Sequence, residues 1–208
     1  MQSVIKQKVL VACEYSGRVR QAFRDRGHDA WSCDLLESED NSSHHIQGPV
    51  DILLEKPWDL IVAHPPCTYL CNSGVRWLKT RPGRYDDMEE AVFFFLDIAR
   101  ANAPKIAIEN PVMHGYARNL LVEYGIGDYG FKPDGRFNFS CQPWQFGDPA
   151  KKRTCFWTKG LPDLKPTSSM TAQDARADCH LSSPGPNRWK ERSRTYQGIA
   201  NAMAQQWS

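Results

Sequence analysis

No run of apolar residues in this sequence is long enough to cross a bilayer. The longest, "AVFFFL" at 91–96, falls far short of the roughly 20 residues that a spanning helix needs. The opening "MQSVIKQKVLVACEYSG" also lacks the apolar core and small-residue cleavage site of a secretory leader, so a cytoplasmic protein with no membrane partner is expected. Strong charge is missing too: a net +2 over 208 residues is too mild to announce a nucleic-acid binder. The seven cysteines are odd in number and scattered at 13, 33, 67, 71, 141, 155 and 179, with no Cys-x-x-Cys pair. Cys67 and Cys71 lie four apart, but no second Cys/His pair completes a zinc set, so neither a disulfide framework nor a metal site is expected. Internal repeats and low-complexity tracts are absent as well.

What is present describes a globular domain. Hydrophobic residues make up 41% and charged residues 24% of the chain, enough for one α/β domain with a proper core. "KVLVAC" (8–13) reads as a buried strand, followed by a helix over "GRVRQAFRDRG" with Val19, Ala22 and Phe23 on one face and Gly27 as its C-cap. "DAWSC" (29–33) is a second strand ending in Asp34, and the polar stretch 37–49 is a loop. "WDLIVAH" (58–64) and "KIAIEN" (105–110) are further strands, with a helix over 86–103 between them and Pro111 closing the second. This alternation predicts a mostly parallel, doubly wound, Rossmann-like sheet flanked by helices. Farther on, "GRFNFS" and "RTCFWTK" read as strands, 160–190 is irregular and rich in Pro and Ser, and the C-terminal stretch is helical with Ile199, Met203 and Trp207 aligned.

Open α/β sheets bind ligands at the carboxyl ends of their strands, near the reversal of strand order. Four sharp features fall at such ends: "CEYSG", Asp34, "HPPC" and "EN" (109–110). Ser16-Gly17 suits a strand-to-helix turn that lets a ligand approach the backbone. Asp34 stands where Rossmann-type sites hold ribose hydroxyls, though a helix cap or surface acid reads equally well. Cys67 invites assignment as a nucleophile because Pro65 and Pro66 fix its approach, against the alternative of a plain buried thiol. Lys152 or Arg153 would supply positive charge, and Glu109 would act as an acid or hydrogen-bond partner if partly buried. Basic residues cluster at Arg76–Arg84, at 151–153 and at 188–194. Each cluster alone reads as solvated surface.

Together these residues resemble the DNA (cytosine-5) methyltransferases, in the manner of a small phage-type member. "EYSG" looks like the family's first motif, "PPC" like its Pro-Cys loop, and "IEN" like its Glu-Asn motif. "KKRTCFW" (151–157) is similar to the arginine-bearing strand and "IANAM" (199–203) to the closing helix, all in family order. The resemblance implies S-adenosylmethionine as cosubstrate, held by Tyr15, Ser16, Gly17, Asp34, Leu35, Pro66, Asn201 and Ala202 around one pocket. It implies Cys67 as the thiolate that adds to carbon 6 of cytosine, Glu109 as donor at ring N3, Asn110 as holder of the loop or base, and Arg153 as stabiliser of charge at O2. DNA is the implied substrate. RNA, a free pyrimidine nucleotide, or a non-catalytic nucleic-acid-binding relative of the fold remain open, as does the oligomeric state. The expected organisation is a catalytic domain at 1–157, a reduced target-recognition segment or loop at 158–191, and a C-terminal helix at 192–208 that returns to the domain.

Overall fold

The computed structural model describes residues 5–177 and 188–208. Its sheet begins with β1 (Lys8–Ala12), β2 (Asp29–Asp34), β3 (His45–Gln47), β4 (Leu60–Ala63) and β5 (Lys105–Asn110), which pair in parallel. The strand β7 (Thr154–Lys159) inserts antiparallel between β5 and β6 (Phe139–Cys141), giving the order β3-β2-β1-β4-β5-β7-β6. All of β4, and all of β1 except Lys8, is buried. Continuous apolar runs of this kind are what a sheet covered on both faces requires.

Helices supply both covers. On one face α1 (Arg18–Asp25) and the C-terminal α6 (Gln197–Gln206) pack Val19, Phe23, Ile199 and Met203 onto Val9, Val11 and Val62. On the other, α3 (Arg84–Arg100) and α4 (Gly115–Glu123) pack Met88, Phe95 and Leu121 onto Leu10, Ile61 and Ile108. Each such fully buried side chain contributes about 1.5–3 kcal/mol, so the sheet edge that carries the site rests on a stiff support. Two shorter helices, α2 (Asp51–Leu54) and α5 (Arg188–Ser193), complete the set used below. Among the described residues no helix is long and apolar enough to cross a membrane.

The sheet follows the expected doubly wound plan, with corrections in detail. The stretch 37–49, expected as loop, contains β3, a three-residue edge strand paired with Ser32–Asp34. The 58–64 strand shortens to β4, with Asp59 N–H still donating to Lys8 O at 2.9 Å and His64 N–H to Ala12 O at 3.0 Å on its flanks. The helix expected to 103 ends at Arg100, where Ala101 is extended and Pro104 disfavours helix just beyond. Between Gly160 and Ala177 the chain has no helix or strand beyond a bridge at Arg176. It is tied back to α6: Lys165 N–H donates to Gln206 Oε1 at 2.8 Å and the Trp207 indole donates to Pro162 O at 2.9 Å.

Candidate active site

Strand order reverses between β1 and β4, and the loops leaving these two strands meet there. The loop after β1 carries a buried carboxylate that sequence reasoning passed over. Glu14, 4% exposed, accepts the N–H groups of Val19 at 2.7 Å and Arg20 at 3.2 Å, and the Ser16 hydroxyl at 3.4 Å. Those two N–H groups belong to the first turn of α1 and have no partner within the helix. Burial raises the Glu14 pKa, against the opposing pull of His64 and the two N–H donors. The signal was an acid directly after β1 and just ahead of a helix start. Gly17 turns the chain with φ +70, and beneath it lies the fully buried Arg20, which pairs with Asp40 and donates to Ser32 Oγ at 2.9 Å.

Beside this turn, at the carboxyl ends of β1 and β2, opens a cleft of about 400 Å³ lined by Tyr15, Leu35, Leu36, Glu39, Gln47 and Lys190 among others. Its size suits a small organic ligand. Asp34 ends β2 at this edge and accepts the Leu36 N–H at 2.9 Å, which shapes the loop below the cleft. The chain from α5 to Thr195 lies across the mouth as a strap. The Tyr15 hydroxyl donates to Lys190 O at 2.5 Å, Arg194 grips the Glu39 carboxylate, and Arg18 donates to Thr195 O at 2.9 Å. Of the residues expected around one pocket, Tyr15 and Leu35 line the cleft, and Ser16, Gly17 and Asp34 build its supporting loops. Pro66 stands on the neighbouring loop after β4. Ala202 instead packs into the core under α1, and the exposed Asn201 accepts the Gln197 amide at 2.9 Å, so neither lines the cleft.

The loop after β4 presents Cys67, half-buried, at the start of a single turn in which Cys71 N–H donates to Cys67 O at 3.1 Å. That turn sets the two thiols against each other. The Cys67 interaction, aided by the Ser73 hydroxyl at 2.9 Å and the Ser73 and Gly74 N–H groups, outweighs burial and lowers the Cys71 pKa to about 5. The same contact, with burial and the charge of Glu109, pushes Cys67 upward. The two sulfurs share one proton as a pair. Arg84, in the basic cluster that reads as solvated surface, is instead 9% exposed and braces this loop by donating to Thr68 O at 2.8 Å and lying 4.1 Å over the Tyr69 ring. Arg76 and Arg81 stack on Trp77 at 4.4 and 4.1 Å.

Glu109, at the end of β5, lies alongside. His64 Nδ1–H donates to Glu109 Oε2 at 3.3 Å, and His64 Nε2 is buried with no partner among the described residues. Burial pushes the Glu109 pKa up, but the His64 bond and the nearby charge of Lys152 bring it below the ordinary value. Asn110, fully buried, donates to Pro65 O at 3.3 Å and so holds the Pro-Pro approach to Cys67. Arg153 departs from its expected place. Its guanidinium donates to Ser140 Oγ at 3.2 Å and sits 5.6 Å over the Phe137 ring, whereas Lys152 lines the pocket beside Glu109. The pleat decides this: Glu109 pairs with Phe156, and Lys152, Thr154 and Phe156 share its face while Arg153 points to the other. Because β7 runs antiparallel, its beginning lies at the ligand edge, which is how Lys152 arrives there.

No protein-family model matches the chain, and no curated protein matches it. Solved structures do. An E. coli prophage protein described as a DNA modification methyltransferase superposes with a TM-score of 0.52 at 14% identity, over 78% of this chain and 51% of its own. The chain has the Rossmann-like fold of a methyltransferase. It spans about half the length of that prophage protein. Entamoeba histolytica methyltransferase EhMeth (TM-score 0.49, 15% identity, 88% of this chain and 62% of its own) is also similar. So is Spodoptera frugiperda DNMT2 (0.49, 18%, 78% and 54%). Within this methyltransferase fold, the cleft at β1 and β2 and the Cys67 loop occupy adjoining positions along one sheet edge.

Proposed function

We propose that the chain is an S-adenosylmethionine-dependent methyltransferase that acts on carbon 5 of cytosine in DNA through a covalent adduct at Cys67. One observation carries the reading: a half-buried thiol paired with a second thiol, a histidine-bound carboxylate and a lysine converge beside a ligand cleft. The cleft's chemistry favours this cosubstrate over a dinucleotide. In phosphate-binding folds the helix N-terminus receives an anion, but here Glu14 occupies the first N–H groups of α1. With Glu37 also at the cleft, a cationic sulfonium suits it better than a pyrophosphate. When bound, the cosubstrate supplies an electrophilic methyl group.

The side chains do the rest. With the shared proton on Cys71, the Cys67 thiolate adds to carbon 6 of the ring, which makes carbon 5 enamine-like and nucleophilic; after methyl transfer, loss of the carbon-5 proton to solvent expels the Cys67 sulfur. Protonated Glu109 faces ring N3 and donates to it as charge develops on the ring, and His64, hydrogen-bonded to Glu109 Oε2, orients the carboxyl. Lys152 stabilises negative charge on the same side. Asn110 and Arg84 position the loop. A base in duplex DNA must leave the stack to reach this edge, at a cost of a few kcal/mol.

The tied-down course of 160–177 favours a second reading of the substrate, since no reading module projects from the described part of 158–191. Residues 178–187 of that segment lie outside the described residues. Mass spectrometry of nucleosides from DNA and RNA of cells expressing the chain separates these readings. 5-Methylcytosine in DNA, absent with Cys67→Ser, is the expected result. Methylation confined to RNA would move the substrate, and methylation in neither would remove the enzyme reading.

A further inference from the structure

We infer that Cys67 and Cys71 form a site of reversible oxidation, closing to an intramolecular disulfide when a hydroperoxide reaches the catalytic loop. The pairing rests on thiol geometry and not on the proposed reaction; only its effect on turnover depends on that reading.

Several observations on one turn support this. The turn brings residues four apart together, with Leu70 and Cys71 N–H both donating to Cys67 O at 3.1 Å. Each end is anchored. Cys71 forms a β-bridge with Met113, Asn72 N–H donates to Val112 O at 3.3 Å, and Asn110 holds Pro65. Residues four apart on one turn share a face, so bond formation asks for closure to about 2.05 Å and not for refolding. Access is divided: Cys67 is half-buried and open to a small oxidant, while Cys71 is 8% exposed behind it.

The contrast with the other described thiols is sharp. Cys33 and Cys155 are raised to about 11 and Cys141 to about 12, each by burial first, and Cys13 is raised as well. Cys71 is the one described thiol brought down, by donors arranged around it. A sensor cysteine works where thiolate character and access meet beside a second thiol, and here the pair supplies the thiolate while Cys67 supplies the access.

The chemistry balances in two steps. With the pair's one proton on Cys71, the Cys67 thiolate attacks an oxygen of the peroxide; the O–O bond breaks, leaving a sulfenic acid on Cys67 and releasing hydroxide, which takes a proton from solvent to become water. The Cys71 sulfur then attacks the Cys67 sulfur, its proton leaves with the displaced hydroxide as water, and the S–S bond forms. Two thiols and one hydrogen peroxide become one disulfide and two waters, with both electrons going to the peroxide oxygens. The closed form has no free thiol to add to a base.

Differential alkylation of the full chain tests this. Treat it with dilute hydrogen peroxide, block free thiols, reduce, and label the released thiols with a second reagent. Cys67 and Cys71 should gain the second label together, dithiothreitol should restore both, and Cys33, Cys141 and Cys155 should stay in the first. In Cys71→Ser, Cys67 should instead progress to the sulfinic acid, which dithiothreitol does not reverse. Cys67 and Cys71 both remaining in the first label, or Cys67 pairing elsewhere, overturns the proposal. If the disulfide forms and reverses while methylation is absent both before and after reduction, the reaction reading fails and the oxidation site stands.

Discussion

Gly17→Ala probes the turn on which the cleft is built. At φ +70 an alanine pays roughly 1–2 kcal/mol for the left-handed backbone alone. Its Cβ would lie 2.3 Å from Arg20 Nη2 and 2.9 Å from Asp40 Oδ2. Arg20 has a side-chain exposure of 0%, so it has nowhere to swing, and the turn must tilt or the Arg20–Asp40 pair must open. Losing a fully buried pair costs about 3–5 kcal/mol, but the Asp40 side chain is 40% exposed and solvent screens it, so about 1–2 kcal/mol is the fair figure here. The sum is about 2–4 kcal/mol. Gly27→Ala is the matched control: φ is +88, yet nothing lies within 4 Å of the added Cβ, so only the backbone strain of about 1–2 kcal/mol applies. Urea unfolding of the two variants should place Gly17→Ala roughly 1–2 kcal/mol below Gly27→Ala. Calorimetry with S-adenosylhomocysteine should show weaker binding for Gly17→Ala alone. Equal stability losses would refute the packing argument, because strain would then account for both.

Other expectations address the reacting groups. His64→Gln should lower kcat by roughly 10- to 100-fold, the size of a charge-assisted hydrogen bond of about 1.5–3 kcal/mol. It also removes a bond that lowers the Glu109 pKa. Protonated Glu109 is the active form, so the alkaline limb of the pH–rate profile should move to higher pH; an unmoved limb would count against the pair. Lys152→Met should reduce kcat/KM more than Arg153→Met does, and the reverse order in steady-state kinetics would return Arg153 to the site. Cys67→Ala deletes the main cause of the low Cys71 pKa. The Cys71 thiolate ultraviolet absorbance, expected to titrate at about 5 in the parent chain, should therefore shift upward toward the ordinary thiol value of about 8.5. A titration unchanged by the substitution would show that Ser73 and the backbone suffice.

The parts of the fold legible in the sequence were those whose cause is local. β1, β2 and β5 declare themselves because strands covered on both faces must be apolar, and Val19, Ala22 and Phe23 mark the buried face of α1 at helical spacing. β3 was illegible because "HIQ" is three residues at a sheet edge, stabilised by Ser32 and Asp34 of a strand already formed. The site divides the same way. Cys67, Glu109 and Asn110 stand at strand ends that the pattern locates. Arg153 and Lys152 are adjacent, and only the register of β7 against β5 decides which faces Glu109. The roles of His64 and Cys71 were missed because each depends on a contact, with Glu109 across 45 residues and with Cys67 across one turn, that no residue type announces.

The strap also sets an order of events during synthesis. Tyr15 meets the Lys190 carbonyl 175 residues downstream, and Glu39 meets Arg194 across 155. At about 5–20 residues per second, these early residues wait roughly 8–35 s for their partners to be synthesised. Through that interval β1 and β2 can pair, but the floor of the cleft stands without its cover, and the face that α6 will occupy is bare apolar sheet. A nascent chain is thus most vulnerable until residues 188–206 have emerged. A stall before that point would leave the sheet with its ligand edge open and its Val9–Val11 face exposed to whatever holdase is at hand.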